Sequence, residues 1–232
     1  MSSQTLSIKT PDGDFSAYVA RPAAAKAPAI VVIQEIFGVN AVMRQIADDL
    51  AAEGYIAICP DLFWRIEPGI DITDQSQAEW AKAFSLYTAF NVDKGIEDIA
   101  ATLKAIRSDP GCNGKVGAVG YCLGGLLSYL TAARTDIDAA VSYYGVGIDG
   151  KLDEAAKITA PMLLHVAEKD QFVPAPAQAA MAKVLINGPR LGLHIYPGCD
   201  HAFARTGGEH YDAAAAKLAN DRTAAFFTNT LG

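Results

Sequence analysis

The segment Val116–Leu130, VGAVGYCLGGLLSYL, decides the fold of this chain. It begins with a short apolar run typical of a buried β-strand and ends with the spacing of an amphipathic α-helix. Between them lies Gly120-x-Cys122-x-Gly124, a frame that normally carries a serine on a sharp strand-to-helix turn. The segment therefore predicts a strand–turn–helix unit in which Cys122 is either a nucleophile or a small buried side chain.

Length and composition indicate an ordinary folded protein. The chain has 232 residues, of which 51% are hydrophobic and 19% charged, and its net charge is −7. These values favour a single α/β domain over residues 1–232 and argue against nucleic acid as a partner. We find no long apolar run and no signal segment, so we expect a cytoplasmic protein with reduced thiols and no membrane partner.

Strands and helices are predicted to alternate along the chain. A hairpin covers about 6–20, with its turn at Asp12-Gly13, and an irregular connection runs from 61 to 73. Further strands are predicted at 29–34, 55–59, 138–144, 162–167 and 191–196, and helices at 44–53, 75–90, 92–108, 175–186 and 211–229. This order predicts a mainly parallel sheet with helices on both faces, whose ligands bind beyond the carboxyl ends of the strands.

Three of those strand ends carry the parts of a catalytic triad. Cys122 follows one strand, Asp170 a later one and His201 the last, which is the chain order of the α/β-hydrolases. Histidine can take the proton of a thiol near neutral pH, and a carboxylate on its other ring nitrogen fixes the tautomer. The order and chemistry therefore predict Cys122 as nucleophile, His201 as base and Asp170 as the orienting acid.

Two backbone N–H groups are the predicted donors of an oxyanion hole. Leu123 directly follows the nucleophile, and Ile36 lies in the loop after the strand 29–34. Glycines at 120, 124 and 125 leave room for the sharp turn and for close packing of the helix.

Other classes of site fit the sequence less well. Cys199-Asp200-His201 clusters possible metal ligands, but no second Cys or His pair stands at zinc-site spacing. The glycines at 117, 120 and 124 match neither the dinucleotide fingerprint nor a P-loop. We therefore expect no metal and no cofactor. A non-catalytic binding protein on the same fold remains an alternative, although it would not need all three triad residues.

One combination of motifs in this chain is unusual among α/β-hydrolases: a cysteine turn, Gly120-Tyr-Cys-Leu-Gly-Gly125, together with Gln34-Glu-Ile-Phe-Gly-Val-Asn40. Further distinctive segments are Cys59-Pro-Asp-Leu62, Asn113-Gly-Lys-Val-Gly117, Tyr143-Tyr-Gly-Val-Gly147, Asp170-x-Phe-Val-Pro-Ala-Pro176 and His201-Ala-Phe-Ala-Arg-Thr206. In these segments, and over nearly its whole length, the chain resembles the dienelactone hydrolase (carboxymethylenebutenolidase) family.

The resemblance implies a cofactor-free monomer that hydrolyses a dienelactone (4-carboxymethylenebut-2-en-4-olide) to maleylacetate in aromatic catabolism. It implies that Glu35 holds the resting cysteine as a thiol and then helps to deprotonate it when substrate arrives. It also implies that Arg205 binds the substrate carboxylate, a role that suits a guanidinium. Phe37 and Tyr144, which also follow strands, are predicted to contact the substrate.

The sequence departs from the family pattern in the predicted anion subsite. Ungapped matching places Trp80 where the family has a second carboxylate-binding arginine, with Tyr87 as a neighbouring aromatic residue, and position 202 is Ala where Ser is common. Trp80 either belongs to the helix core or lines a pocket for a less charged substrate. The alternative function is therefore a related carboxylesterase or thioesterase.

Overall fold

A computed structural model describes residues 2–185 and 190–232. The strands in these ranges are β1 Ser2–Thr10, β2 Gly13–Arg21, β3 Ala27–Ile33, β4 Ile56–Pro60, β5 Cys112–Tyr121, β6 Ala139–Tyr143, β7 Met162–Ala167 and β8 Leu191–Tyr196. The α-helices are α1 Ala41–Ala52, α2 Gln77–Ala89, α3 Val92–Arg107, α4 Leu123–Arg134, α5 Ala175–Leu185 and α6 Ala213–Leu231. Each predicted strand and helix is present, although residue 186 of the predicted helix 175–186 lies outside the described residues.

The chain divides into two compact units, Met1–Gly117 and Ala118–Gly232. The strand order is β1-β2-β4-β3-β5 in the first unit and β5-β6-β7-β8 in the second, so that β5 runs through both. The eight-stranded sheet is mostly parallel with helices on both sides, which confirms the predicted α/β class. The prediction of one domain over residues 1–232 stays a prediction.

The N-terminal hairpin is present with a shifted turn. Thr10 pairs with Gly13, so the turn residues are Pro11 and Asp12 rather than the predicted Asp12-Gly13. Gly13 has φ of 142° and is the first residue of β2. β2 then pairs antiparallel with β4, which attaches the hairpin to the parallel strands.

Side-chain caps set the starts of four helices. Asn40, Ser76, Asn91 and Asp212 each accept a hydrogen bond from the backbone N–H three residues later, which satisfies one donor of the first helical turn. Asn40 explains why α1 begins at Ala41, three residues before the prediction. A 3-10 segment, Ile148–Lys157, lies between β6 and β7 and was not predicted.

The predicted irregular connection after β4 is closed by local hydrogen bonds. The Asp61 carboxylate accepts the N–H of Phe63 at 3.1 Å and of Gly69 at 2.7 Å. Gly38 forms an isolated bridge with Asp71, and a Cβ at Gly38 would lie 2.0 Å from the Ile70 carbonyl oxygen. The connection after β4 is therefore bonded to the loop that follows β3 through the bridge between Gly38 and Asp71.

No helix in the described part of the chain has both the length and the apolar character needed to cross a membrane.

Candidate active site

Cys122 occupies a strained turn between β5 and α4. Its backbone has φ of 55° and ψ of −113°, in the left-handed half of conformational space that a residue with a Cβ rarely adopts. Such a conformation costs on the order of 1–3 kcal/mol and persists only where the surroundings hold it. The side chain is 8% exposed and stands at the N-terminus of α4.

Glycines make this turn sterically feasible. A Cβ at Gly120 would lie 1.8 Å from the carbonyl oxygen of Gly124, so no other residue fits there. A Cβ at Gly125 would lie 2.6 Å from Gly145 Cα and 2.7 Å from the carbonyl oxygen of Tyr143. Gly120 therefore permits the sharp turn, and Gly125 permits α4 to approach the end of β6.

Backbone hydrogen bonds hold the turn in place. The Cys122 N–H donates to the Tyr143 carbonyl at 3.1 Å, and the Cys122 carbonyl accepts the N–H of Gly125 at 3.0 Å and of Leu126 at 3.3 Å. The N–H of Leu123, in the first turn of α4, has no acceptor within the helix. Outside the helices and strands of the described residues, no backbone hydrogen bond uses the N–H of Leu123 or Ile36.

Asp170 and His201 form a buried pair at the ends of β7 and β8. His201 Nδ1 lies 2.7 Å from Asp170 Oδ2, and their side chains are 6% and 0% exposed. Asp170 Oδ1 accepts the Phe172 N–H at 2.8 Å, while the Lys169 N–H donates to the Cys199 carbonyl at 2.8 Å. These bonds fix the carboxylate and join the two loops that carry the pair.

Cys122 lies on the other side of the same imidazole. Burial alone would lower the pKa of His201, but the negative charge on Cys122 and side-chain hydrogen bonds to Asp170 and Cys122 raise it to about 10. The arrangement thus favours a protonated histidine when the thiol has lost its proton. The structure brings together the three residues that the sequence placed at separate strand ends.

Aromatic rings confine the imidazole of His201. Tyr144 packs edge-to-face on it at 5.2 Å between ring centroids, and Phe172 does so at 4.9 Å. Tyr144 is 1% exposed and has φ of 38°, another positive value at a strand end. Tyr144 is a predicted substrate contact, whereas Phe172 had no predicted role, because nothing in the local sequence relates residue 172 to His201.

Arg205 belongs to the turn that follows His201. Its backbone N–H donates to the Ala202 carbonyl at 2.9 Å, and its carbonyl accepts the Gly208 N–H at 3.0 Å. Only 7% of Arg205 is exposed, which is unusual for a guanidinium. Ala202 has φ of 62°, so this turn too is held in a sparsely populated conformation.

In the first unit, the predicted residues after β3 are all buried. Glu35 is 1% exposed, Ile36 5% and Phe37 1%. Phe37 packs edge-to-face on Trp80 of α2, with ring centroids 5.1 Å apart, and Trp80 Nε1 donates to the Asp74 carbonyl at 3.0 Å. Trp80 is partly buried. Through Phe37, its ring contacts the segment that contains Glu35 and Ile36.

Tyr87 lies one helical turn from the exposed Phe84 and is itself 38% exposed. Phe84 stacks on Trp80 with centroids 5.5 Å apart. The face of α2 around Trp80 is thus aromatic, as its sequence suggested.

Gln34 is a buried residue whose side chain had no predicted role. It is fully buried at the end of β3, and its side-chain amide bonds to the backbone of Glu35 and Leu62. The signal that could have identified it is a polar residue that closes an apolar strand, in the run Ala29-Ile-Val-Val-Ile-Gln34.

The described residues contain no group of three or more His, Cys, Asp or Glu side chains suited to hold a metal ion.

A cysteine on a strand-to-helix turn, followed along the chain by a buried Asp–His pair at later strand ends, defines an α/β-hydrolase, and solved α/β-hydrolase structures share this fold. Within that class, the chain belongs to the Dienelactone hydrolase family, whose family model matches residues 15–231. It is accordingly a hydrolase, as predicted.

The sequence similarity to individual relatives covers almost the entire chain. A relative from Azospirillum brasilense is 52% identical over 232 residues, covering 95% of this chain and 96% of its own. Carboxymethylenebutenolidase from Pseudomonas putida is 44% identical over 223 residues, covering 96% and 94%. A solved structure from Klebsiella pneumoniae subsp. pneumoniae superposes with a TM-score of 0.83 at 28% identity, covering 97% of this chain and 98% of its own.

Proposed function

We propose that this hydrolase opens the lactone ring of a dienelactone, 4-carboxymethylenebut-2-en-4-olide, to give maleylacetate through a Cys122–His201–Asp170 triad. The observation that carries the proposal is the imidazole of His201, which is bonded to the Asp170 carboxylate at 2.7 Å and on its other side to the Cys122 thiol. That arrangement is the one a thiol nucleophile needs, because it must lose its proton before attack and return it later.

In the proposed reaction, Cys122 Sγ attacks the lactone carbonyl carbon while His201 holds the thiol proton. The tetrahedral intermediate collapses, the ring C–O bond breaks, and His201 transfers the proton to the departing enol oxygen. A thioester joins the acyl group to Cys122. His201 then takes a proton from water, whose oxygen attacks the thioester carbonyl. The C–S bond breaks, His201 returns the proton to Cys122 Sγ, the acid is released, and its enol tautomerises to the ketone of maleylacetate.

Two backbone donors are proposed to stabilise the negative oxygen of each intermediate. They are the N–H groups of Leu123 and Ile36, and the assignment is supported because, in the loops and turns of the described residues, neither N–H donates to another backbone carbonyl. Removing one such donor typically costs about 10²–10³ in rate. Glu35 keeps its proposed role of holding the resting thiol and assisting its deprotonation, a role taken from the family resemblance.

The substrate carboxylate is proposed to pair with Arg205, and Phe37 and Tyr144 to contact the ring. The burial of Arg205 supports this role, because a planar guanidinium removed from water binds a carboxylate through two parallel hydrogen bonds. We also propose that the enzyme works as a monomer on this small molecule.

A second candidate is an esterase or thioesterase for a less charged ester or lactone. The contact of Trp80 with Phe37 favours it, because an aromatic surface occupies the position where the family resemblance implies a second arginine. Tyr87 adds a further aromatic side chain to the same helix.

Steady-state hydrolysis of three substrates separates the candidates. They are the dienelactone, its uncharged methyl ester and a simple aryl ester, with Cys122→Ala as the control. We expect the acid form to be preferred in kcat/KM by about 10² or more, roughly 2.7 kcal/mol. Neutral esters that match the acid form would select the second candidate, and full turnover by Cys122→Ala would overturn the mechanism for both.

A further inference from the structure

The side chain of Gln34 joins two backbone segments at the end of β3. Its Oε1 accepts the N–H of Leu62 at 3.0 Å, and its Nε2 donates to the carbonyl oxygen of Glu35 at 3.3 Å. Gln34 is 0% exposed, so water does not compete for either bond. The amide thus connects the loop after β3 to the connection after β4.

The orientation of this amide follows from its partners. A backbone N–H can only donate, so the oxygen of Gln34 must face Leu62 and the nitrogen must face the Glu35 carbonyl. Leu62 is itself well anchored, because the neighbouring Asp61 carboxylate binds the N–H groups of Phe63 and Gly69. The hydrogen bond to Leu62 therefore fixes the Gln34 amide, which in turn holds the Glu35 carbonyl.

Holding the Glu35 carbonyl also orients the N–H of Ile36. The two groups belong to one planar peptide unit, and the described chain contains no cis peptide bond. In a trans peptide the C=O and N–H point in opposite directions, so the carbonyl cannot rotate without turning the N–H by the same angle. The bond from Gln34 thereby sets the direction in which Ile36 can donate.

We propose that Gln34 is a positioning residue for the oxyanion donor of Ile36. This inference rests on the proposed function, in which that N–H stabilises the negative oxygen of the intermediate. Preorganised donors act because they need no reorientation as charge develops, so a peptide free to rotate would be a poorer donor. Gln34 does not touch the substrate; it acts through the peptide bond between Glu35 and Ile36.

The test replaces Gln34 with methionine, which is unbranched and of similar length but makes neither hydrogen bond. We expect kcat/KM for an aryl ester to fall about 10- to 100-fold, part of the loss typical of a missing donor. Alkylation of Cys122 by iodoacetamide needs a thiolate but no oxyanion donor, so its second-order rate should stay within about twofold. A purely structural role for Gln34 would slow both reactions together.

Asn40→Asp is the matched control. Asn40 Nδ2 donates to the Ile72 carbonyl at 2.9 Å, another amide-to-backbone bond between the same two segments, while its Oδ1 caps α1. Aspartate keeps the cap and replaces the Nδ2 donor with an oxygen that repels the Ile72 carbonyl, so this bond between the two segments is lost. Hydrolysis should still remain within about threefold of the native rate if Gln34 acts through the Ile36 peptide.

Three results would overturn the inference: native hydrolysis by Gln34→Met, an equal slowing of hydrolysis and alkylation in that variant, or an equal loss of hydrolysis in Asn40→Asp. If Gln34→Met does not fold, Gln34→Glu keeps the acceptor for Leu62 and is judged by the same two rates. Failure of the proposed function has different signatures: Cys122→Ala would remain active, or neutral esters would match the dienelactone. An inactive Cys122→Ala beside a fully active Gln34→Met removes the role of Gln34 alone.

Discussion

His201 Nδ1 and Asp170 Oδ2 lie 2.7 Å apart, and the second oxygen of that carboxylate is bound by the backbone N–H of Phe172 at 2.8 Å. The carboxylate is therefore held from both sides and cannot turn away from the imidazole. The turn after β7 sets the position of the carboxylate, and the turn after β8 sets that of the imidazole. The distance between Asp170 and His201 therefore depends on the alignment of the two strand ends.

Asp170→Asn should preserve the shape of the pair and remove its negative charge. An amide in place of the carboxylate supports the wrong tautomer of His201 and no longer stabilises imidazolium, so we expect kcat/KM to fall about 10³–10⁴-fold. Loss of the charge also removes one cause of the raised pKa of His201. The measurement is a pH profile of kcat/KM for both proteins.

The control for this prediction is Asp200→Asn, which alters a neighbouring carboxylate that accepts the backbone N–H of His201 at 2.7 Å. It should retain most of the activity. A pH profile of Asp170→Asn that coincides with the native one would contradict the role of Asp170.

His165 should make the protein sensitive to acid. The buried imidazole lies 2.8 Å from the Tyr196 hydroxyl and 3.0 Å from the Thr223 hydroxyl, while Arg222 donates to the same Tyr196 oxygen at 3.1 Å. With Arg222 donating to the Tyr196 oxygen, the Tyr196 proton is available to a neutral His165 Nδ1, whereas a protonated ring would direct its N–H and the guanidinium at the same oxygen. The neutral form of the His165 imidazole therefore fits this hydrogen-bond network.

The consequence for stability follows from the pKa of His165. Burial first, then the charges of His194 and Arg222, lower that pKa to about 3. The unfolded chain binds a proton near its ordinary pKa, so this contribution to stability is complete above about pH 6.5 and is lost as pH falls towards 3. The loss should amount to roughly 3–5 kcal/mol in the free energy of unfolding.

Urea unfolding between pH 7 and 4 measures this effect. His165→Gln, which can still donate and accept without titrating, should flatten the dependence on pH by that amount. His194→Gln is the comparison, because His194 is less buried and should change the slope less. Parallel curves for the native protein and His165→Gln would show that the buried ring is not the acid-sensitive group.

Gly125→Ala should disturb the turn at Cys122. The new Cβ would lie 2.6 Å from Gly145 Cα and 2.7 Å from the Tyr143 carbonyl oxygen, the same oxygen that accepts the Cys122 N–H. Backbone atoms on both sides must move, so we expect a loss of about 1–3 kcal/mol in the free energy of unfolding and at least about 10-fold in activity.

Gly150→Ala provides the matched substitution, since a Cβ there meets nothing within 4 Å. Its stability should stay within about 0.5 kcal/mol of the native value. Denaturant unfolding of the two variants, together with ester hydrolysis, tests the prediction. Equal behaviour of both would mean that α4 and β6 tolerate a wider separation than their packing indicates.

Trp80→Arg should shift the substrate preference towards the anion. The family resemblance implies a carboxylate-binding arginine at this position, and a charge-assisted hydrogen bond contributes about 1.5–3 kcal/mol. We therefore expect the ratio of kcat/KM for the dienelactone to that for its methyl ester to rise about 10-fold or more. Trp80→Phe keeps the aromatic contact with Phe37 and should leave the ratio nearly unchanged. An unaltered ratio in Trp80→Arg would place residue 80 away from the substrate carboxylate.

Much of the fold followed from local patterns. Apolar runs such as Ala29–Ile33 and helical spacing such as Ile96, Ile99 and Leu103 are properties of neighbouring residues, and each produced the expected element. The hairpin turn was displaced by one residue, because Gly13 joined the strand register instead of the turn. The 3-10 segment Ile148–Lys157 was missed, since such short turns lack a strong period of their own.

The sequence by itself determined the chemistry that this protein carries: a cysteine flanked by glycines, and an aspartate and a histidine that each follow a strand. Their order along the chain was enough to assign the class, because parallel strands present their carboxyl ends at one edge of a sheet. The tertiary structure decided how those groups are held. It set the 2.7 Å bond between His201 and Asp170, the support of the Glu35–Ile36 peptide by Gln34 and Leu62, and the buried chain through His165 and Thr223. The bonds Gln34–Leu62, His201–Asp170 and His165–Thr223 join residues 28, 31 and 58 positions apart. They depend on how strands and loops pack together, for which a local pattern of residues contains no signal.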